Sequence, residues 1–130
     1  MTDSSRLRAF ATTVRRRLSP GRPEGALDVL VCYVPSANTD RVLAALFTAG
    51  AGALGDYREC AFVTAGTGQF RPLPGAVPAV GAVGELEHVA ENRVEVVLPR
   101  RLRRPVVAAL RAAHPYEEPA FHVLETAATD

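Results

Sequence analysis

Leu27-Asp28-Val29-Leu30-Val31-Cys32-Tyr33-Val34-Pro35 is a nearly unbroken apolar, β-favouring run closed by a proline. That is the pattern of a strand covered on both faces and central in its sheet. Directly after it, Ser36, Asn38 and Thr39 offer oxygen atoms to an N-cap, and Val42, Leu43, Leu46 and Phe47 recur at helical spacing until Gly50. The run therefore predicts a strand that leads at once into a helix.

Outward from this pair, Glu59 to Val63 and the residues up to Phe70 flank Gly66-Thr67-Gly68, which reads as a hairpin with a glycine-rich turn. From Arg71 to Gly84, Pro72, Pro74 and Pro78 alternate with Gly75, Gly81 and Gly84, a composition that forbids a long helix and predicts a surface loop. The valine-rich stretch Leu86 to Leu98 predicts a long strand. Leu102, Val106, Ala109, Leu110 and Ala113 predict a second helix with Pro105 in its first turn, ending before His114-Pro115. Phe121 to Leu124 supplies a last strand. The order β-α-β-β-α-β is that of a ferredoxin-like α+β sandwich, an antiparallel sheet with both helices on one face. With no helix left for the other face, self-association through it is expected.

A chain of 130 residues has room for one domain, and 48% hydrophobic with 22% charged residues is an ordinary globular composition. Fifteen basic and 14 acidic residues leave a net charge of +1, which gives no global field for nucleic acid or an acidic membrane, so neither is expected as a partner. Cys32 and Cys60 are too few and too unpatterned for a disulfide scaffold, and no apolar run approaches the ~20 residues of a membrane span. A reduced, cytoplasmic protein is expected. Residues 1–25 carry Arg6, Arg8 and Arg15-Arg16-Arg17 and read as a basic, flexible extension. Leu7, Phe10, Ala11, Val14 and Leu18 within it have the spacing of a short amphipathic helix, marginal on its own in water. Residues 26–126 form the domain and 127–130 a tail.

Chemistry concentrates in His114-Pro115-Tyr116-Glu117-Glu118-Pro119, which brings an imidazole and two carboxylates into one short turn. This mixture suits a borderline divalent cation, with His114 and Glu118 as ligands. In the competing reading the prolines fix a rigid turn, Tyr116 packs, and the carboxylates meet arginines across a subunit boundary. His122 and His88 are candidates for a second imidazole, though a lone strand histidine is more often a surface or packed residue. Gly66-Thr67-Gly68 and Gly50-Ala51-Gly52 expose backbone N–H groups to an anion in one reading and serve turns and a helix C-cap in the other. Arg100, Arg101, Arg103 and Arg104 crowd the start of the second helix, against its dipole, and call for an anionic partner or a fully solvated face. For nucleophilic catalysis, neither cysteine has a histidine near it in sequence.

Two segments carry a resemblance: Gly50-Ala51-Gly52-Ala53-Leu54-Gly55-Asp56-Tyr57-Arg58-Glu59-Cys60-Ala61-Phe62, followed by Gly66-Thr67-Gly68-Gln69-Phe70-Arg71-Pro72, and His114 to Ala120. With Glu91-x-Arg93-x-Glu95 and Gly75-Ala76-x-Pro78-x-x-Gly81, they resemble the insert domain of the Nif-three-like family over about Leu27 to Leu124. The larger members carry this insert inside a dinuclear-metal core named for type 2 GTP cyclohydrolase. The insert is similar in fold to the P-II signalling and CutA proteins, homotrimers with clefts between subunits. The resemblance, read as a stand-alone chain, implies a non-enzymatic binding or regulatory module. It would be a homotrimer that takes a small ligand or divalent cation at Gly66, Thr67, Gly68, His114, Tyr116, Glu117 and Glu118. The alternative it implies is a structural partner docking on a separately encoded dinuclear-metal Nif-three-like protein. A metal-dependent hydrolase fits worst, because the chain has only His88, His114 and His122 and nothing resembling the core's metal-binding segments. His122 also stands where the family pattern usually has Asp.

Overall fold

A computed structural model describes residues 25–128; the expected N-terminal amphipathic helix lies outside the described residues. The elements are β1 (Leu27–Pro35), α1 (Thr39–Thr48), β2 (Phe62–Phe70), β3 (Glu87–Pro99), α2 (Arg103–Ala113) and β4 (Phe121–Glu125), with short 3-10 turns at Ser36–Asn38 and Arg100–Leu102 leading into the helices. The sheet runs β2-β3-β1-β4 and every neighbouring pair is antiparallel. This is the ferredoxin-like arrangement, with β1 in the interior of the sheet, as its apolar run predicts.

Strand alternation decides what is buried. On one face of β1, Leu30, Cys32 and Val34 join Val94, Val96 and Leu98 of β3 against Val42 and Leu46 of α1 and Val106 and Leu110 of α2, all buried. Each large aliphatic side chain there contributes about 1.5–3 kcal/mol by leaving water. On the other face Val31 is buried, but Val29 and Tyr33 are only half-buried and Leu124 and Phe62 are exposed. Cover on both faces of β1 is thus realised fully on the helix side alone, because both helices pack there.

The helix ends follow local chemistry. No side chain caps α1 by a hydrogen bond from Asn38, contrary to the N-cap expected from Ser36, Asn38 and Thr39. The Thr39 hydroxyl instead donates to the Pro35 carbonyl (3.3 Å) and accepts from Asn92 Nδ2 (2.9 Å), tying the start of α1 to β3. At its far end, Gly50 N–H donates to Phe47 O and Ala51 N–H to Leu46 O, both at 3.0 Å. Gly50 sits at φ +106°, so this is the Schellman stop its position implies. Helix α2 ends at Ala113, where His114 turns extended ahead of Pro115.

Two sequence expectations are corrected. Gly66-Thr67-Gly68 is not a turn: it lies inside β2, paired with Glu91, Ala90 and Val89. The chain reverses in the proline- and glycine-rich segment 71–86 instead. A side chain at Gly68 would overlap the Glu91 carboxylate, so here glycine makes room for a neighbour rather than bending the chain. The crowded arginines find their anion within the fold. Asp28, fully buried in β1, accepts from Arg100 Nε and Arg103 Nε at 2.8 Å each, and Arg103 Nη2 also reaches Glu125 at 2.9 Å. Arg103 and Arg100 hold the Asp28 carboxyl below the usual carboxylate range, against the opposing effect of burial.

Candidate functional site

Beyond the end of β2, segment 71–84 folds back over the turn after α2. Arg71 Nη1 donates to Gly84 O and Gly84 N–H to Pro72 O, both at 2.7 Å, closing the loop at its base. At its tip, Val77 N–H donates to Glu117 Oε1 at 3.0 Å. Loop and turn enclose a cleft of about 260 Å³. Phe70, Pro78, Val80 and Tyr116 give it apolar walls, and Glu91 of β3 and Glu118 of the turn line it with carboxylates.

His114 supports this site from behind. It is buried; its Nδ1 accepts from Tyr116 N–H at 3.1 Å, and its Nε2 lies 2.7 Å from the Tyr33 carbonyl. An acceptor Nδ1 leaves the ring proton on Nε2, which donates to Tyr33 O. Tyr116 is thereby pinned, with its ring 5.0 Å from the imidazole and edge-on to Phe70 at 5.7 Å. The Tyr116 hydroxyl is buried and has no hydrogen-bond partner within the described residues. Burial, followed by the nearby Glu91 carboxylate, raises the Tyr116 phenol above its ordinary value. Burial likewise raises Glu91, opposed by His114.

Of the seven residues singled out for ligand binding, Tyr116, Glu117 and Glu118 line the cleft. His114 stands in the layer behind them. Gly66, Thr67 and Gly68 lie in β2, where Gly68 accommodates Glu91. Glu117 spends one carboxylate oxygen on Val77, so it fastens the loop. Both imidazole nitrogens of His114 are engaged, and no group of three or more His, Cys, Asp or Glu side chains able to hold a metal is present among the described residues. The other histidines stand apart from the turn: His88 Nε2 meets Gln69 Oε1 at 3.1 Å, and His122 faces the Tyr33 ring at 6.5 Å. Glu91 and Phe70 were visible only inside motifs. Their place in the cleft depends on the β2–β3 register and on the loop's path, which sequence spacing does not encode.

No family model matches the sequence. Proteins named "GTP cyclohydrolase 1 type 2 homolog" do: that of Mycobacterium tuberculosis is 55% identical over 115 residues, 88% of this chain and 30% of the relative. The protein of the same name from Bacillus subtilis is 47% identical over 97 residues, 75% of this chain and 26% of the relative. The chain thus spans under a third of the length of these relatives. Among solved structures, the Bacillus cereus protein related to NIF3 superposes with a TM-score of 0.69 at 38% identity, over 84% of this chain and 28% of that one. CutA1 from Oryza sativa shares the fold at a TM-score of 0.59 and 14% identity, covering 82% of this chain and 84% of that one. A matching α+β fold together with 55% identity makes this chain a homologue of the Nif-three-like GTP cyclohydrolase 1 type 2 homologs, over under a third of their length.

Proposed function

We propose that the chain is a non-enzymatic binding module that holds a small ligand in the cleft between loop 71–84 and the turn 114–120. The carrying observation is the construction of that cleft: a loop latched at base and tip, over apolar walls, beside three carboxylates and a buried phenol without a partner among the described residues. Convergent polar groups in an apolar concavity are what ligand sites are made of. Cys32 offers no nucleophile, being fully buried with its thiol pushed up to about 12 by burial.

The module is read as a homotrimer assembled over the open side of the sheet. Exposed apolar side chains on that side support this: Phe62 on β2 is 65% exposed and Leu124 on β4 is 52% exposed. The length of the relatives favours a second reading, in which the rest of a Nif-three-like protein covers this face. Native mass spectrometry of protein purified without chelators tests both. A trimer retaining one small molecule per subunit is expected. A bare monomer that assembles only with a co-expressed Nif-three-like protein would overturn the module reading in favour of the docking one.

A further inference from the structure

The proposed cleft has a one-signed lining. Glu91 enters from the sheet and Glu117 and Glu118 from the turn, while among the described residues no arginine or histidine lines it. His114, behind the cleft, has both ring nitrogens committed to backbone groups, His88 meets Gln69 Oε1, and Arg71 at the loop base directs Nη1 to Gly84 O. A phosphate or carboxylate brought here would meet like charges with no cation among the described lining residues to offset them, and low-dielectric walls strengthen that repulsion. Gly68, diagonal to Glu91 across the β2–β3 pair, leaves the space that the Glu91 carboxylate occupies. Size narrows the class further. About 260 Å³ falls below the ~300–1,000 Å³ of drug-sized sites, which favours a small ligand. The remaining walls, Phe70, Tyr116, Pro78 and Val80, are apolar or aromatic.

Resting on the cleft being a binding site, we infer that it selects a small organic cation with an apolar body, of the arylalkylamine kind. The ammonium group lies between Glu91 and Glu118, and the ring packs against Phe70 and the proline loop. Charge-assisted hydrogen bonds to two carboxylates supply the selectivity. Aromatic stacking and the face of Tyr116 add contacts that a hydrated metal ion does not make.

The test is calorimetric titration of the full chain with 2-phenylethylammonium, phenylacetate, 2-phenylethanol and ATP, for the parent and for Glu91→Gln and Glu118→Gln. Glu118 is exposed, so its substitution leaves folding out of the question. The ammonium is expected to bind, and each Gln substitution to weaken it about tenfold, equivalent to ~1.4 kcal/mol. Phenylacetate and ATP are expected to give no heat. Equal or tighter binding of the alcohol, the carboxylate or ATP in the cleft would overturn the charge selection and leave the cleft standing as a site. Binding of the ammonium unaffected by either substitution would overturn the assigned carboxylates. No binding by any probe would overturn both the selection and the site.

Discussion

Replacing Asp28 with Asn removes one buried charge and leaves the strand's shape unchanged. Asp28 accepts two charge-assisted hydrogen bonds of 2.8 Å and is fully buried. Hydrogen bonds to charged groups contribute about 1.5–3 kcal/mol each, which sets a ceiling of roughly 3–6 kcal/mol. Arg100 and Arg103 remain 34% and 39% exposed, so both recover hydration when the carboxylate is lost, and the expected cost falls to about 2–4 kcal/mol. Urea unfolding followed by circular dichroism, at one protein concentration, measures it. The pH dependence has a definite sign. The folded carboxyl is held below its ordinary 3.8 by Arg103 and Arg100, so its contribution is complete above the unfolded value and is lost as pH falls through the folded one. The gap between parent and Asp28→Asn should therefore stay constant from neutral pH down to about 4 and close below that. A neutral-pH gap under about 0.5 kcal/mol, or a gap unchanged in strong acid, would refute the assignment of Asp28 as the arginines' anion.

Leu46→Ala and Leu110→Ala each empty a fully buried position between helix and sheet, and each is expected to cost about 2–5 kcal/mol in the same unfolding assay. Gly50→Ala forces a side chain at φ +106° to within 2.7 Å of Leu102 Cδ1; a loss of at least ~1 kcal/mol is expected, and a neutral result would contradict the Schellman stop. Glu117→Ala removes the acceptor for Val77 N–H. Faster amide exchange at Val77, with the amides of β1 unchanged, is the expected readout. In the native protein a thiol reagent should label Cys60, which is half-buried, and leave Cys32 untouched until denaturant is added.

Much of the fold was legible because periodicity and burial agree along the chain. The apolar run at 27–34 became an interior strand, the stripes at 42–47 and 102–113 became the helices, and His114-Pro115 ended α2 where the ring of a proline disfavours helix. The Gly66-Thr67-Gly68 reading failed for a specific reason. Glycine signals either a positive φ or a close neighbour, and at Gly68 the neighbour was Glu91, 23 residues away and brought near by strand pairing. Asp28 was hidden inside a hydrophobic run because its partners, Arg100 and Arg103, lie over 70 residues downstream. The turn 114–119 was visible as a place of chemistry. Its division of labour was not: only tertiary packing assigns His114 to the backbone, Glu117 to the loop latch, and Glu118 to the cleft.

Amide chemical-shift mapping of the isotope-labelled chain, titrated with 2-phenylethylammonium and with a neutral aromatic fragment set, locates the surface at which a small ligand binds. Saturable shifts confined to residues 69–80, Glu91 and 116–120 are expected, with the α1–α2 surface silent. Shifts that cluster instead on the groove between Arg41, Thr48 and Ala112, or that appear nowhere, would contradict binding in the cleft.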